Sequence, residues 1–285
     1  MPLIHTYKYQ SCGGIADFLR SVFAYYIYCL KNNIPYYLHI DDHPFKLCFY
    51  NTNNQLPEHH KTNLHSLCDV ASKTSKNTLD ILEKIKDLSV NYIILSNIFD
   101  FIPFEEFGRY RESFLKFLSI SDIVKIRIRE LLTNDLITSS KYLYKPYNAI
   151  HIRLGDKFMP QINIQSDIRM SNDPITSVKK AIEFLGKDKP ILIVSDNLEI
   201  KKLIKDLDLN IFILNSKIHH SALPSNNIMD FIDTVSEFVI LGSADTIVSL
   251  AQSGFPFWSS IIFGRPLYLV SNEEVVKYTF ENLKY

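Results

Sequence analysis

The chain has 285 residues, of which 46% are hydrophobic and 13% aromatic, and its 31 Lys+Arg balance 31 Asp+Glu to a formal net charge of +0. This much apolar material builds a core without disulfides or metals, which excludes a disordered, collagen-like or disulfide-stapled chain. The balanced charge supplies no global basic field for a nucleic acid or an anionic membrane. At roughly 100–200 residues per domain, two domains are expected.

The opening residues 1–10 lack the basic start and apolar run of about 7–15 residues that a secretory leader needs. Residues 15–30 are apolar but interrupted by Asp17 and Arg20, so a buried helix is expected there rather than a membrane span of about 20 apolar residues. Cys12, Cys29, Cys48 and Cys68 form no C-x-x-C pair, and no Asn-x-Ser/Thr sequon occurs. Reduced buried thiols and a cytoplasmic location are the expectation.

In chain order, a short strand at 5–9 precedes Gly13 and Gly14. A helix at 17–32 and a strand at 36–40 complete a βαβ unit with a glycine turn. Residues 41–61, rich in Asp, Asn, His and Pro, read as a surface excursion. Helical spacing returns at 78–88, 104–118 and 121–133, with a strand at 92–95. The serine- and tyrosine-rich stretch 138–147 breaks the pattern, dividing the chain into domains 1–145 and 146–285. Beyond it, strands at 149–152, 191–195, 211–214, 246–250 and 267–270 alternate with helices at 174–185, 198–207, 229–241 and 255–263. That alternation predicts a parallel sheet covered on both faces. A final helix near 274–283 is expected to pack back on the first domain.

In such a sheet ligands bind beyond the carboxyl ends of the strands. The segment His151-Ile152-Arg153-Leu154-Gly155-Asp156-Lys157 leaves a buried strand there. It brings a planar guanidinium fork suited to phosphate, a glycine for the turn, and a carboxylate able to orient Arg153 or Lys157. An Arg–Asp pair closing a loop would look the same. A second segment, from Glu237 through Asp245 to Trp258, predicts helix, strand, helix. Ser253 stands at the cap, Gly254 follows, and Pro256 lies in the first turn, so backbone donors face an anion. Ser253 is equally the residue type of a plain helix cap.

Three blocks together resemble the fucosyltransferase superfamily, which spans α-1,2-, α-1,6- and protein O-fucosyltransferases. They are Gly13-Gly14-Ile15-Ala16-Asp17-Phe18-Leu19-Arg20, the His151–Lys157 block, which matches the family's His-x-Arg-x-Gly/Thr-Asp-Lys pattern, and the Glu237–Trp258 block. The resemblance implies a GT-B-like α/β fold of two Rossmann-like domains with the donor in the cleft between them. It further implies GDP-fucose as donor substrate, inversion at the sugar carbon, a carbohydrate acceptor, and no obligatory metal or other cofactor. By resemblance Arg153 holds the diphosphate, Ser253 contacts phosphate, and Glu237 reads guanine where Asp is commoner. Leu154 replaces a second arginine found in several subfamilies, a charge that Lys157 is placed to restore. Gly13, Gly14, His151, Gly254 and Asp196 complete the expected donor site, although Asp196 also suits a helix cap.

For acceptor activation, Asp156, Asp17 and His39 all stand at strand ends, with Asp156 paired to Arg153 as the expected catalytic set. Asp17 has an alternative role as a first-turn helix acid. Two rival readings stay open: a transferase using another nucleotide sugar, including a metal-dependent one holding the ion at His39-Ile40-Asp41-Asp42-His43, and a nucleotide- or carbohydrate-binding protein of the same fold without turnover. Neither the charge balance nor any basic stripe favours a nucleic-acid partner.

Overall fold

Apolar runs of three to six residues alternate with amphipathic helices and, among the described residues, build a four-stranded sheet, a six-stranded sheet and a two-stranded ribbon. The computed structural model describes residues 3–6, 14–41, 43–51, 64–69, 82, 91–95, 99–134, 146–155, 173–207, 210–216, 225, 227–271 and 274–279. Cα packing groups residues 1–123 with 220–232, and residues 124–219 with 233–285.

The first unit contains β1 (Leu3–Thr6), α1 (Ile15–Lys31), β2 (Tyr36–His39), β3 (Phe49–Asn51), β4 (Leu64–Asp69), β5 (Asn91–Leu95), α2 (Phe104–Phe117) and β6 (Leu118–Ile120). Its main sheet is parallel throughout, in the order β2-β1-β5-β4. Gly14 caps α1: its N–H donates to Asp17 Oδ2 at 2.9 Å, and its carbonyl accepts from Phe18 N at 3.0 Å. The apolar side of α1 is then buried, with Phe23 stacked on Phe114 of α2 at 4.0 Å between ring centroids. Of the expected excursion at 41–61, residues 41 and 43–51 are among those described. A 3-10 turn, Pro44–Leu47, is capped by His43 and leads into β3, which pairs antiparallel with β6. Three-residue strands carry too little periodicity to read in advance, and β4 was missed for want of clear alternation. The strand expected at 5–9 begins two residues earlier, and the helix expected at 78–88 lies, but for Leu82, outside the described residues.

The second unit contains most of α3 (Asp122–Asn134), then β7 (Asn148–Ile152), α4 (Pro174–Leu185), β8 (Ile191–Ser195), α5 (Leu198–Lys205), β9 (Ile211–Ile213), the greater part of α6 (Ile228–Ser243), β10 (Ile247–Ser249), α7 (Gly254–Phe263), β11 (Leu267–Ser271) and β12 (Glu274–Lys277). The sheet order is β12-β11-β10-β7-β8-β9, parallel except for β12. Ile150 and Ile152 of β7 join Ile191 and Ile193 of β8 and Val178 and Ala181 of α4 in one buried cluster. On the opposite face His151 stacks on Phe255 of α7. Helices therefore cover both faces, as the alternation predicted. From β7 the chain steps outward to β8 and β9, then returns to lay β10 and β11 on its other side. The switch of direction falls between β7 and β10, the place where open α/β sheets bind ligands.

One expectation is overturned here. Residues 274–277 form no helix: β12 runs antiparallel to β11, with Ser271 opposite Glu274 and Val270 opposite Val275. The β-branched pair Val275-Val276 favours a strand, and the free edge of β11 offers the ladder it needs. Among the described residues no helix is long and apolar enough to cross a membrane.

Close packing of α6 on α7 sets a stability prediction. A Cβ on Gly242 would stand 2.1 Å from Phe263 Cδ2 and 2.7 Å from Ser259 Oγ. Gly242→Ala is expected to destabilise the chain by about 1–3 kcal/mol, read as a lower urea midpoint with an unchanged slope.

Candidate functional site

The strand β7 delivers its last residues to the switch point, and three backbone and side-chain groups there converge on one carboxylate. Asp196, immediately after β8, takes the Leu154 N–H on Oδ1 at 3.0 Å and the Gly155 N–H on Oδ2 at 3.3 Å. Arg153 Nε stands 3.3 Å from the same Oδ2. The Asp196 side chain is 5% exposed and that of Arg153 16%. Gly155 has φ 112°, a conformation open to glycine and strained for any other residue, and it turns the chain so that both N–H groups meet Asp196. Burial pushes the Asp196 carboxyl above its ordinary range, while Arg153 and the two backbone donors pull it back. The expected phosphate-binding arginine is thus held by a carboxylate from the neighbouring strand end, a polar contact that orients the guanidinium.

His151 is buried, 3.3 Å through Nδ1 from Ser249 Oγ on β10, and its ring lies 5.8 Å from that of Phe255. Ser249 sends its own hydroxyl proton to the Ala251 carbonyl at 2.6 Å, so Nδ1 is the donor to Ser249 and Nε2 carries the lone pair. Burial, reinforced by the charges of Arg153 and Lys201, lowers the His151 pKa to about 3. The ring is neutral at physiological pH.

Past β10, Ser253 caps α7: its Oγ accepts from Phe255 N at 3.3 Å. Gly254 is the first helical residue. The C-terminus of α7 is closed by Gly264 in the left-handed region at φ 68°, with Arg265 N donating to Ser260 O at 2.9 Å. The start of α7, with the positive end of its dipole, therefore follows the carboxyl end of β10.

Glu237, on α6, holds a position that sequence reading assigned without its partners. Its Oε1 accepts from Lys201 Nζ at 2.7 Å and also from the Ser216 hydroxyl. Lys201 is fully buried, and the Glu237 side chain is 11% exposed. Oε1 is committed to two protein donors, so a ligand meeting Glu237 would be read by Oε2. Lys201 and Ser216 were missed in the sequence. The available signal was a lysine three residues before Ile204, on the apolar stripe of α5.

The structure thus gathers His151, Arg153, Asp196, Ser253, Gly254 and Glu237 on one unit. Asp156, Lys157 and Gly13 lie outside the described residues. In the first unit, Gly14 and Asp17 form the cap of α1, and Asp17 also pairs with Arg20 at 2.8 Å. His39 pairs with Asp41 at 3.2 Å on the surface. His43 is buried, with Nδ1 accepting from Phe45 N at 3.1 Å, and burial lowers its pKa to about 4. Its capping bond occupies one of the two ring nitrogens through which it could meet a metal. Asp42 lies outside the described residues, and among those described no group of three His, Cys, Asp or Glu side chains is placed to hold a metal.

No family model and no curated protein matches the chain. Solved structures do. NodZ α-1,6-fucosyltransferase co-crystallised with GDP, an enzyme of Bradyrhizobium, superposes with a TM-score of 0.63 at 10% identity, over 97% of this chain and 98% of that one. A mutant of Arabidopsis thaliana FUT1 in complex with GDP gives 0.61 at 12% identity, over 97% and 74%. POFUT1 in complex with GDP gives 0.54 at 12%, over 94% and 98%. A NodZ crystal soaked with GDP-fucose gives 0.58 at 12%, over 100% and 97%. The chain has a fucosyltransferase-like α/β fold.

Proposed function

We propose that this chain is an inverting glycosyltransferase that moves L-fucose from GDP-fucose to a glycan hydroxyl without an obligatory metal. The observation that carries the reading is the Arg153–Asp196 pair at the switch point between β7 and β10. It supports a diphosphate site because a guanidinium held by a buried carboxylate is a fixed positive charge at a strand-end crevice. Ser253 and the start of α7 add donors nearby in the fold. Solved structures sharing the fold contain GDP, which supports guanine as the base.

In this reaction the bond from the sugar carbon to the diphosphate oxygen breaks as the acceptor oxygen attacks from the opposite face. GDP leaves with the bonding electrons, and the acceptor hydroxyl loses its proton. Negative charge grows on the β-phosphate, where Arg153 stabilises it without reorganising. Glu237 Oε2 accepts from the donor edge of guanine. Asp156 is proposed with Arg153 in the catalytic set, and it takes the acceptor proton.

Calorimetry in EDTA tests the reading with GDP-fucose, GDP-mannose, UDP-galactose and UDP. Guanine nucleotides are expected to bind at least tenfold tighter than uridine nucleotides, with no loss on chelation, and a glycan acceptor is expected to yield fucosylated product. Equal binding of UDP, or binding that requires added divalent metal, overturns it.

A further inference from the structure

Resting on the reading of Glu237 as the base-contacting carboxylate, we propose that Lys201 and Ser216 are positioning residues for nucleobase selection. They hold Glu237 Oε1 so that Oε2 is presented as a fixed anionic acceptor. Three observations converge. Lys201 is completely buried, and its ammonium finds Glu237 Oε1 at 2.7 Å. The Ser216 hydroxyl donates to the same oxygen. Lys201 lies one turn into α5, whose cap Asn197 directly follows Asp196, so a single helix start ties the base-side carboxylate to the phosphate-side one.

A merely structural role accounts poorly for this arrangement. An ion pair taken out of water recovers little net stability, and apolar side chains of similar volume serve a core equally well or better. A buried lysine does supply what a base reader needs. Its ammonium holds one oxygen of the carboxylate and fixes the plane of the group. An ionised carboxylate only accepts hydrogen bonds, which suits the N1–H and exocyclic amino group of guanine. Adenine presents an acceptor nitrogen at the corresponding ring position, so the same oxygen repels it. Without the Lys201 bond the plane of the carboxylate is no longer fixed, Oε2 is no longer aimed at the base edge, and that selection is lost.

The test is the ratio of GDP to ADP affinity in the full chain, measured by calorimetry. A structural defect weakens both nucleotides together, and this ratio cancels it. Wild type is expected to favour GDP by at least 100-fold, and Lys201→Met to shrink that preference at least tenfold while circular dichroism shows a folded chain. A folded Lys201→Met with an unchanged ratio overturns the proposal. Should Lys201→Met not fold, Ser216→Ala decides. A preference reduced about threefold supports the proposal, and an unchanged preference overturns it. Wild type that binds GDP and ADP equally overturns instead the guanine reading on which the proposal rests.

Discussion

Arg153→Ala is expected to lower kcat/KM by about 10²–10³ in a fucosyl-transfer assay, with most of the loss in kcat, because in the proposed reaction the guanidinium meets the charge that develops in the transition state. The side chain stands at the end of a completely buried strand, and its Nε is engaged by Asp196. A charge already oriented costs nothing to reorganise during the reaction. Arg153→Lys keeps the charge and loses the planar fork, so it is expected to recover only part of the loss. If GDP-fucose turns over in Arg153→Ala at a rate within threefold of wild type, the diphosphate assignment is wrong.

Asp196→Ala is the second large effect, and it acts through Arg153 and the loop. The substitution deprives Leu154 N, Gly155 N and Arg153 Nε of a shared acceptor. Removing one partner of a buried pair costs about 3 kcal/mol, read in a urea melt. The activity lost should approach that of Arg153→Ala. In the double variant the two losses should not add, because both remove one oriented guanidinium. Additive losses would separate Asp196 from Arg153.

The same carboxylate gives the site a pH dependence. Burial raises the Asp196 pKa above its ordinary value of 3.8, so the native state binds this proton more readily than the unfolded chain does. Its contribution to stability is therefore full below about 3.8 and declines as the pH rises through the folded value. Function runs the opposite way, since protonation discharges the group that holds Arg153. Donor affinity is expected to fall on mild acidification, through a limb above the ordinary aspartate range, and that limb should be absent from Asp196→Asn. An identical limb in that variant assigns it to another group.

Much of the second sheet was legible because its strands are short apolar runs bounded by helix caps. Residues 191–195 were read with their observed ends, and Ser253 caps α7 as its residue type suggested, whereas the cap of α5 is Asn197 and not Asp196, whose carboxylate is taken by Leu154 N, Gly155 N and Arg153. Arg153 and Asp196 were each singled out, yet their contact spans more than forty residues of sequence and depends on β7 and β8 lying side by side. No local rule carries that adjacency. The misread segments have local causes too. Residues 274–277 were given to a helix on spacing alone, whereas the open edge of β11 captured a β-branched pair. Strands β3 and β6 are three residues each and exist through one another. By itself the sequence determined the alternation of strands and helices, the caps, and which residue types can meet phosphate, because these follow from backbone preference and side-chain chemistry over a few residues. Only the tertiary structure decided that Asp196 serves Arg153 and that Lys201 and Ser216 bind one oxygen of Glu237. Those partners are neighbours only once the sheet order and the burial of α5 and α6 are fixed.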